Sequence, residues 1–489
     1  MASQNSHPPK LILRFFRWFC HPDLLKYVEG DLLELYEYNI EKKGVKKANQ
    51  LLTWEILKLL RPSLVKNVGG THKLNYYGML KHNIKISYRN LVRRKSYAAI
   101  NIGGLVMGLS ITLLISLWIV DELSFDKQND NYERVARVMQ KQTLNGETMT
   151  GSAAPFPLPI ALEKEYGDDF EYVVPGSWFG DYVLSKEETV ITTRGGFMDI
   201  GAPHVMSLNM LKGNRNSLSD EKAILLSAST SQALFGDADP IDQLVKIHDD
   251  LSLRVTGIFE DIPKKNSFHR VTFIGQWDFY LSQQDWINKT AWNDNSFQLF
   301  VMTKENVNME VASKKIMRVK YNNMPESERL YDTKVFLHPM KDWHLRSNWE
   351  NGVKAGGDIQ YVWWFGIIGA FVLLLACVNF MNLSTAQSIK RAKEVGVRKA
   401  IGTGRRQLIA QFLTESTLIV FISFLLASLV VLLMMPFFND LTNKDIAMPL
   451  VSGYYWLFGL GFALFIGLLS GSYPAIYLSS FNAIQVLKG

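Results

Sequence analysis

The residues Gly402-Thr403-Gly404-Arg405-Arg406 set backbone-exposing glycines beside guanidinium groups, a combination that could cradle a phosphate. The spacing G-x-x-x-x-G-K-[ST] that aims backbone amides at a nucleotide is absent, which argues against a nucleotide site here. His338 and His344 stand six positions apart. No H-E-x-x-H or C-x-x-C motif supports them as metal ligands, and ordinary packing is the alternative. Ser227 and Ser229 lie outside any G-x-S-x-G context, so no nucleophile is identified. The two cysteines, Cys20 and Cys377, cannot build a disulfide framework. The chain is not read as an enzyme, and no metal or cofactor is expected in it.

What remains is a run of charge and glycine over residues 391–408. It contains Lys393, Glu394, Gly396, Arg398, Lys399, Gly402, Arg405 and Arg406, interleaved with Val395, Val397 and Ile401. One reading is an anchor against lipid headgroups. The other is a docking helix for a cytoplasmic partner, with an apolar face and a basic rim. The residue pattern alone leaves both open.

This run lies between apolar segments. Of 489 residues, 47% are hydrophobic and 20% charged, and the mean hydropathy is zero. Such an average suggests a mixture of membrane and water-exposed parts. Residues 98–120, 361–383, 416–435 and 454–478 contain no Asp, Glu, Lys or Arg. A helix needs about 20 apolar residues to cross the hydrocarbon core, so four spans are expected. Residues 121–360 hold 26 Lys+Arg and 35 Asp+Glu, whereas the rest of the chain holds 27 and 11. The basic excess flanks apolar runs instead of forming one patch, which speaks against nucleic-acid binding. By the same rule the basic segments, including Arg89, Arg93, Arg94 and Lys95, are cytoplasmic, as are both termini. Residues 121–360 and 436–453 then lie outside. With no acid or base inside a span, a proton relay has no wire.

Residues 1–78 read as a small helical cytoplasmic unit. Val28, Leu32, Leu35, Tyr36 and Ile40, and then Ala48, Leu52, Ile56, Leu59 and Leu60, recur at helical spacing. Asp23 is expected to cap the first of these helices, Pro62 to stop the second, and Gly69-Gly70 to form a linker. The cluster from Arg14 to Phe19 suits either a membrane surface or a packed helix. Residues 79–97 read as an amphipathic lead-in helix lying in the membrane interface. Residues 121–360 are expected to be α+β, with strands at 135–139, 190–193 and 251–258 and helices at 227–235 and 307–319. The fold class is thus an α-helical membrane protein with four transmembrane helices, a large α+β extracytoplasmic domain between the first two, and a helical N-terminal domain. Gly104 with Gly108, and Gly467 with Gly471, allow close helix packing within the chain or between two copies. Pro474 is expected to kink or end the last span.

The sequence resembles the permeases of the MacB/FtsX type, the membrane subunits of ATP-binding-cassette systems. YRNLVRRKSY at 88–97 and INIGGL at 100–105 are similar to that family's lead-in helix and first span. AILLS at 223–227, LFGDADPI at 234–241, VTGIFEDIP at 255–263 and NSF at 266–268 are similar to its periplasmic core domain. The run 391–402, the segment SGSYPAIYLSSF at 470–481 and VLKG at 486–489 match its closing part. Residues 1–78 look like a permease prefix domain.

The resemblance implies that 384–415 is a coupling loop or helix, whose run 391–408 is a coupling helix seated in a cytoplasmic ABC ATPase, which binds the ATP and Mg. Lys393, Glu394, Arg398, Lys399, Arg405 and Arg406 would make the contacts, and Gly396 and Gly402 would allow close approach. It further implies a multi-pass protein of the bacterial inner membrane, among lipid, that moves its periplasmic domain without a channel. Relatives with such a prefix often carry two span–domain–span units. No repeat is visible here, which implies a homodimer, a second permease chain, or the first half of a longer permease. A periplasmic adaptor or outer-membrane partner belongs to the same expectation. The alternative is an ATP-independent receptor or cell-wall regulator.

Overall fold

The computed structural model describes residues 8–20, 22–59, 71–93, 95–248, 251–329, 332–400 and 403–480. Leu60, Pro62, Gly69-Gly70 and the closing segment 481–489 lie outside the described residues.

The chain starts with three helices, α1 (Lys10–Phe19), α2 (Pro22–Lys43) and α3 (Val45–Lys58). Leu32 and Tyr36, and Ala48, Leu52 and Ile56, repeat every fourth residue and so share a face. They bury against Leu13, Phe16 and Phe19 of α1. The Tyr36 hydroxyl donates to Asn49 Oδ1 at 2.7 Å. Gly44 takes φ 77° between α2 and α3, a turn conformation that glycine adopts without a Cβ clash. Two expectations change. Leu35 is exposed rather than buried, because it sits on the outer side of α2. Asp23 lies inside α2, whose first residue is Pro22, a residue suited to a helix's first turn. The 14–19 cluster packs its Phe16 and Phe19 inward and leaves Phe15 and Trp18 exposed.

The lead-in helix α4 (Thr71–Arg93) begins ahead of the expected 79 and gives way to α5 (Lys95–Leu123). Asn83, Ser87 and Leu91 are buried, whereas Leu80, Ile84 and Tyr88 form an exposed apolar row beside Lys81 and Lys85. After the intervening domain come α6 (Ile359–Ala400), α7 (Arg405–Thr442) and α8 (Gly453–Ser480). Together with α5 these are four helices long and apolar enough to cross a membrane. Their common core includes Leu105, Leu109, Cys377, Phe380, Ile419, Phe424 and Ile466.

The segment 384–415, expected as a coupling loop or helix, lies largely within α6 and α7. Residues 384–400 hold no proline and one glycine among good helix formers, so α6 continues without a break to Ala400. The chain turns only around Thr403 and Gly404. Pro474 does not end the last helix, and α7 likewise passes through Pro436.

The domain between α5 and α6 is α+β. A 13-stranded sheet runs through Phe273–Gln276, Ala223–Ser227, Leu251–Phe259, Leu244–Ile247, Gly180–Lys186, Thr189–Met198, Phe170–Gly176, Asn295–Thr303, Val135–Leu144 and Asp332–Pro339, with three short strands off that path. Most pairings are antiparallel; Leu251–Phe259 pairs with Ala223–Ser227 in parallel, as Phe273–Gln276 does with Thr189–Met198. Ala223–Ser227 is buried at every position and feeds the helix Ala228–Phe235, whose first amides are capped by the Ser227 side chain. The expected helix at 307–319 is divided into Met309–Lys315, a 3-10 turn Ile316–Arg318 and Val319–Asn323. Lys320 is fully buried, with Nζ donating to Gln140 Oε1 and Asn295 Oδ1, each at 2.8 Å. Aromatic rings fill the part of the core nearest the membrane helices: Phe268 packs edge-on against Phe300 and Trp343.

Candidate functional site: the two ends of the helical bundle

At the domain end, the last turn of α5 carries Asp121 and Glu122. Lys444, from the loop after α7, donates to Asp121 Oδ2 at 2.6 Å and pairs with Glu122 Oε1 at 3.0 Å. His344, from the domain, bonds through Nε2 to Glu122 Oε2 and stacks its ring on Phe125 at 3.7 Å. Lys264 of the domain reaches Asp445 at 3.0 Å. Ser267 donates through its backbone N–H and its hydroxyl to Asp126, both at 2.6 Å. Four separate stretches of chain, at 121–126, 264–267, 344 and 444–445, are thereby tied at one place. Burial works against the Lys444 charge, yet its bonds to Asp121 and Glu122 hold the ammonium above the ordinary lysine range. Burial pushes the Asp126 carboxyl up. The Arg137 guanidinium lies 5.0 Å from the Trp343 ring and 5.4 Å from that of Phe300, and burial lowers its pKa.

Of this joint, the sequence singled out only His344, and as a candidate metal ligand. The only other signals were two acids directly after a charge-free run and a lone lysine in a short loop. His344 is engaged by Glu122, and His338 by Ser347 at 3.3 Å. Among the described residues no group of three ligands could hold a metal ion. Burial drops the His338 imidazole to about 4.

In the middle of the bundle, a Cβ on Gly108 would lie 2.6 Å from Ala376 Cβ, and one on Gly104 3.3 Å from Asn379 Nδ2. On α8, a Cβ on Gly467 would lie 2.7 Å from Thr417 Cα, and one on Gly471 2.7 Å from Ser416 Cβ. Both glycine pairs therefore pack inside this chain, the first on α6 and the second on α7. Because α7 begins at Arg405, Glu415, which directly precedes the charge-free run 416–435, is buried within this helix.

At the far end, α6, α7 and α8 converge. Val395 packs with Leu408, Phe412 and Ala475, and Gly396 is buried beside it. Lys399 Nζ donates to the Ser479 carbonyl at 2.7 Å, and Arg405 Nε to the Ser479 hydroxyl at 3.3 Å. Arg406 is exposed. Lys393, Glu394 and Arg398 sit on the last turns of α6, and their side chains are outside the described residues, as is all of Gly402. The structure thus brings Lys399 and Arg405 together on Ser479, which was not foreseen.

Comparison with known proteins gives two family matches. Residues 98–319 match the MacB-like periplasmic core domain, and residues 366–483 the FtsX-like permease C-terminal domain. Among curated proteins, the macrolide export ATP-binding/permease protein MacB of Campylobacter jejuni is 25% identical over 210 residues, 43% of this chain and 30% of the relative. The protein of the same name from Bdellovibrio bacteriovorus is 33% identical over 122 residues, 25% of this chain and 18% of the relative. That from Neisseria meningitidis serogroup A is 24% identical over 277 residues, 55% and 38% of the two chains. This chain therefore spans less than two-fifths of these relatives. Among solved structures, the periplasmic region of MacB from Actinobacillus actinomycetemcomitans is similar at 14% identity with a TM-score of 0.31, covering 43% of this chain and 89% of that one.

Proposed function

The chain belongs to the ABC transporter permeases of the MacB/FtsX type, and from that premise we propose that it is the permease subunit through which a separate ABC ATPase moves a periplasmic domain. The family is a transporter component, and its four apolar helices mark an inner-membrane protein. In this reading the basic end of the bundle is cytoplasmic, and Lys393, Glu394, Arg398, Lys399, Arg405 and Arg406 meet the ATPase, which supplies ATP and Mg.

The observation that carries the proposal is the length of α6. Its 42 residues form one helix, roughly 63 Å at 1.5 Å per residue, against a hydrocarbon core of about 30 Å. One end is held to the domain by the Ile359 amide donating to the Leu345 carbonyl at 3.0 Å. The other reaches the basic residues 390–400. A displacement applied at one end of an unbroken helix arrives at the other. A second subunit, as a copy of this chain or another permease, would complete the transporter. The curated relatives are named for macrolide export; for this chain export, lipoprotein release and mechanical control of a cell-wall enzyme remain the three forms of the work.

The test is affinity capture of the tagged chain from native membranes, with partners identified by mass spectrometry. An ABC ATPase is expected, together with its loss in the double variant Glu394→Arg, Arg398→Glu. A folded preparation without an ATPase would replace the proposal with the ATP-independent receptor.

A further inference from the structure

Beside the ion pairs of the joint lies a cavity of about 500 Å³, open between the domain and the loop that follows α7. This is within the size range of small-molecule sites, about 300–1,000 Å³. Its charged walls are unequal. The acids Asp121 and Asp445 are already engaged, by Lys444 at 2.6 Å and by Lys264 at 3.0 Å. Lys265 and Arg270, which also line the cavity, form no ion pair among the described residues. His269 stands between them, its Nδ1 against the Asn266 carbonyl at 2.9 Å, which leaves its Nε2 side free of that bond. The stacked pair Phe125 and His344 also lines it. The cavity therefore offers a guanidinium, an ammonium and an imidazole together with the aromatic pair.

Its place in the fold narrows the ligand. It adjoins the ends of α5 and α7, at Leu123 and Thr442, the height at which an apolar helix leaves the hydrocarbon layer. Arginine pairs with phosphate oxygens through a two-pronged fork, and lysine adds a point charge. We propose that this cavity binds a phosphate-bearing anion, held by Lys265 and Arg270 between the domain and the membrane helices. A phospholipid headgroup and a free phosphate share this chemistry. Either ligand would touch the domain and the α7 loop at once, and would favour the arrangement in which the two are close. The inference rests on the reading that α5 and α7 cross a membrane; it does not require the ATPase.

The test uses the full chain in detergent, with native mass spectrometry of lipids retained from equal amounts of phosphatidylglycerol and phosphatidylcholine. The wild type is expected to retain phosphatidylglycerol preferentially. The double variant Lys265→Glu, Arg270→Glu is expected to bind it about tenfold more weakly or worse, since each basic group near a lipid surface contributes about 1 kcal/mol. The exposed variant Lys265→Gln, Arg270→Gln gives the same direction if charge reversal disturbs folding. Displacement of the lipid by millimolar inorganic phosphate would identify a soluble phosphate as the occupant, and retention in its presence would identify the headgroup. Equal lipid retention and equal phosphate binding by wild type and both variants would overturn the site. Capture of the ATPase by these variants is read separately, so failure of the cavity and failure of the permease reading give different patterns.

Discussion

The two ends of one helical bundle solve the problem of charge in opposite ways. At the domain end Asp121, Glu122, Lys444 and His344 satisfy one another, with side-chain exposures of 14%, 8%, 16% and 25%. At the far end Lys399 reaches the carbonyl and Arg405 the hydroxyl of Ser479, and Arg406 is exposed. Ion pairs closed within the chain fix geometry and need nothing from outside. Arg406, exposed at the surface, leaves a charge there for another molecule. The first end holds the domain; under the function proposed above, the second receives a partner.

The largest effect is expected where this contrast is sharpest. Lys444→Met leaves Asp121 and Glu122 half-enclosed without their cation. Removing one member of a buried pair costs about 3–5 kcal/mol, and residual exposure brings the figure here to about 3 kcal/mol. The melting temperature of the purified chain in detergent should fall clearly, and limited proteolysis should cut the loop after α7 faster. Lys444→Arg should recover most of the loss. A Lys444→Met protein as stable as wild type would remove the distinction between the ends.

The next effect lies between the ends, where glycines set how closely the helices approach. Gly467→Ala places a methyl group 2.7 Å from a backbone atom of α7, which only a shift of the helix relieves. About 2 kcal/mol is expected, in the usual range for overpacking. Gly104→Ala meets only the end of the Asn379 side chain at 3.3 Å and should cost a few tenths, since that amide can turn away. Thermal melts of the two variants in parallel measure the difference; equal losses would mean that the helices adjust alike along their length.

The sequence made the bundle readable and left the joint hidden, for one physical reason. Spans and glycine pairs are local patterns, set by 20 or so consecutive residues. The partners of the joint are 323 positions apart for Lys444 and Asp121, and 222 for His344 and Glu122. No periodicity relates such residues; only the fold brings them together. The extension of α6 to Ala400 was missed for a different reason. Its basic residues were read as a docking helix separate from the second span, although nothing in 384–400 breaks the helix that joins them. The strand Leu251–Phe259 was found to within one residue, and Val135–Leu144 was placed short because Gln140, Lys141, Gln142 and Thr143 are polar.

A third effect tests whether the domain itself, rather than the joint, is the acid-sensitive part. His338 is held neutral, with its pKa lowered from 6.5 to about 4 by burial and then by Lys354. In the unfolded chain it would take up a proton first. Its contribution is therefore complete above about pH 6.5 and is lost as pH falls toward 4, on the order of 2 kcal/mol in all. Melts across that window should show stability falling with pH in the wild type and a flatter profile in His338→Gln. An unchanged slope would move the acid sensitivity to other groups.

The smallest effect on stability is expected at the far end, and its smallness is the point. Arg406→Glu changes an exposed residue for which no ion pair appears among the described residues, so the melting temperature should stay within the range of ordinary surface changes, about 0.5 kcal/mol. If the basic end exists to receive an ATPase, the same variant should nevertheless lose captured ATPase several-fold, because a like charge now faces the partner's acidic surface. Stability and association would then separate at this end, whereas at Lys444 the loss of stability comes first. A variant that keeps both its melting temperature and its partner would show that Arg406 lies outside the docking surface and would shift the contact toward Lys393, Glu394 and Arg398. A variant that loses stability as well would show that this end, too, is closed on itself.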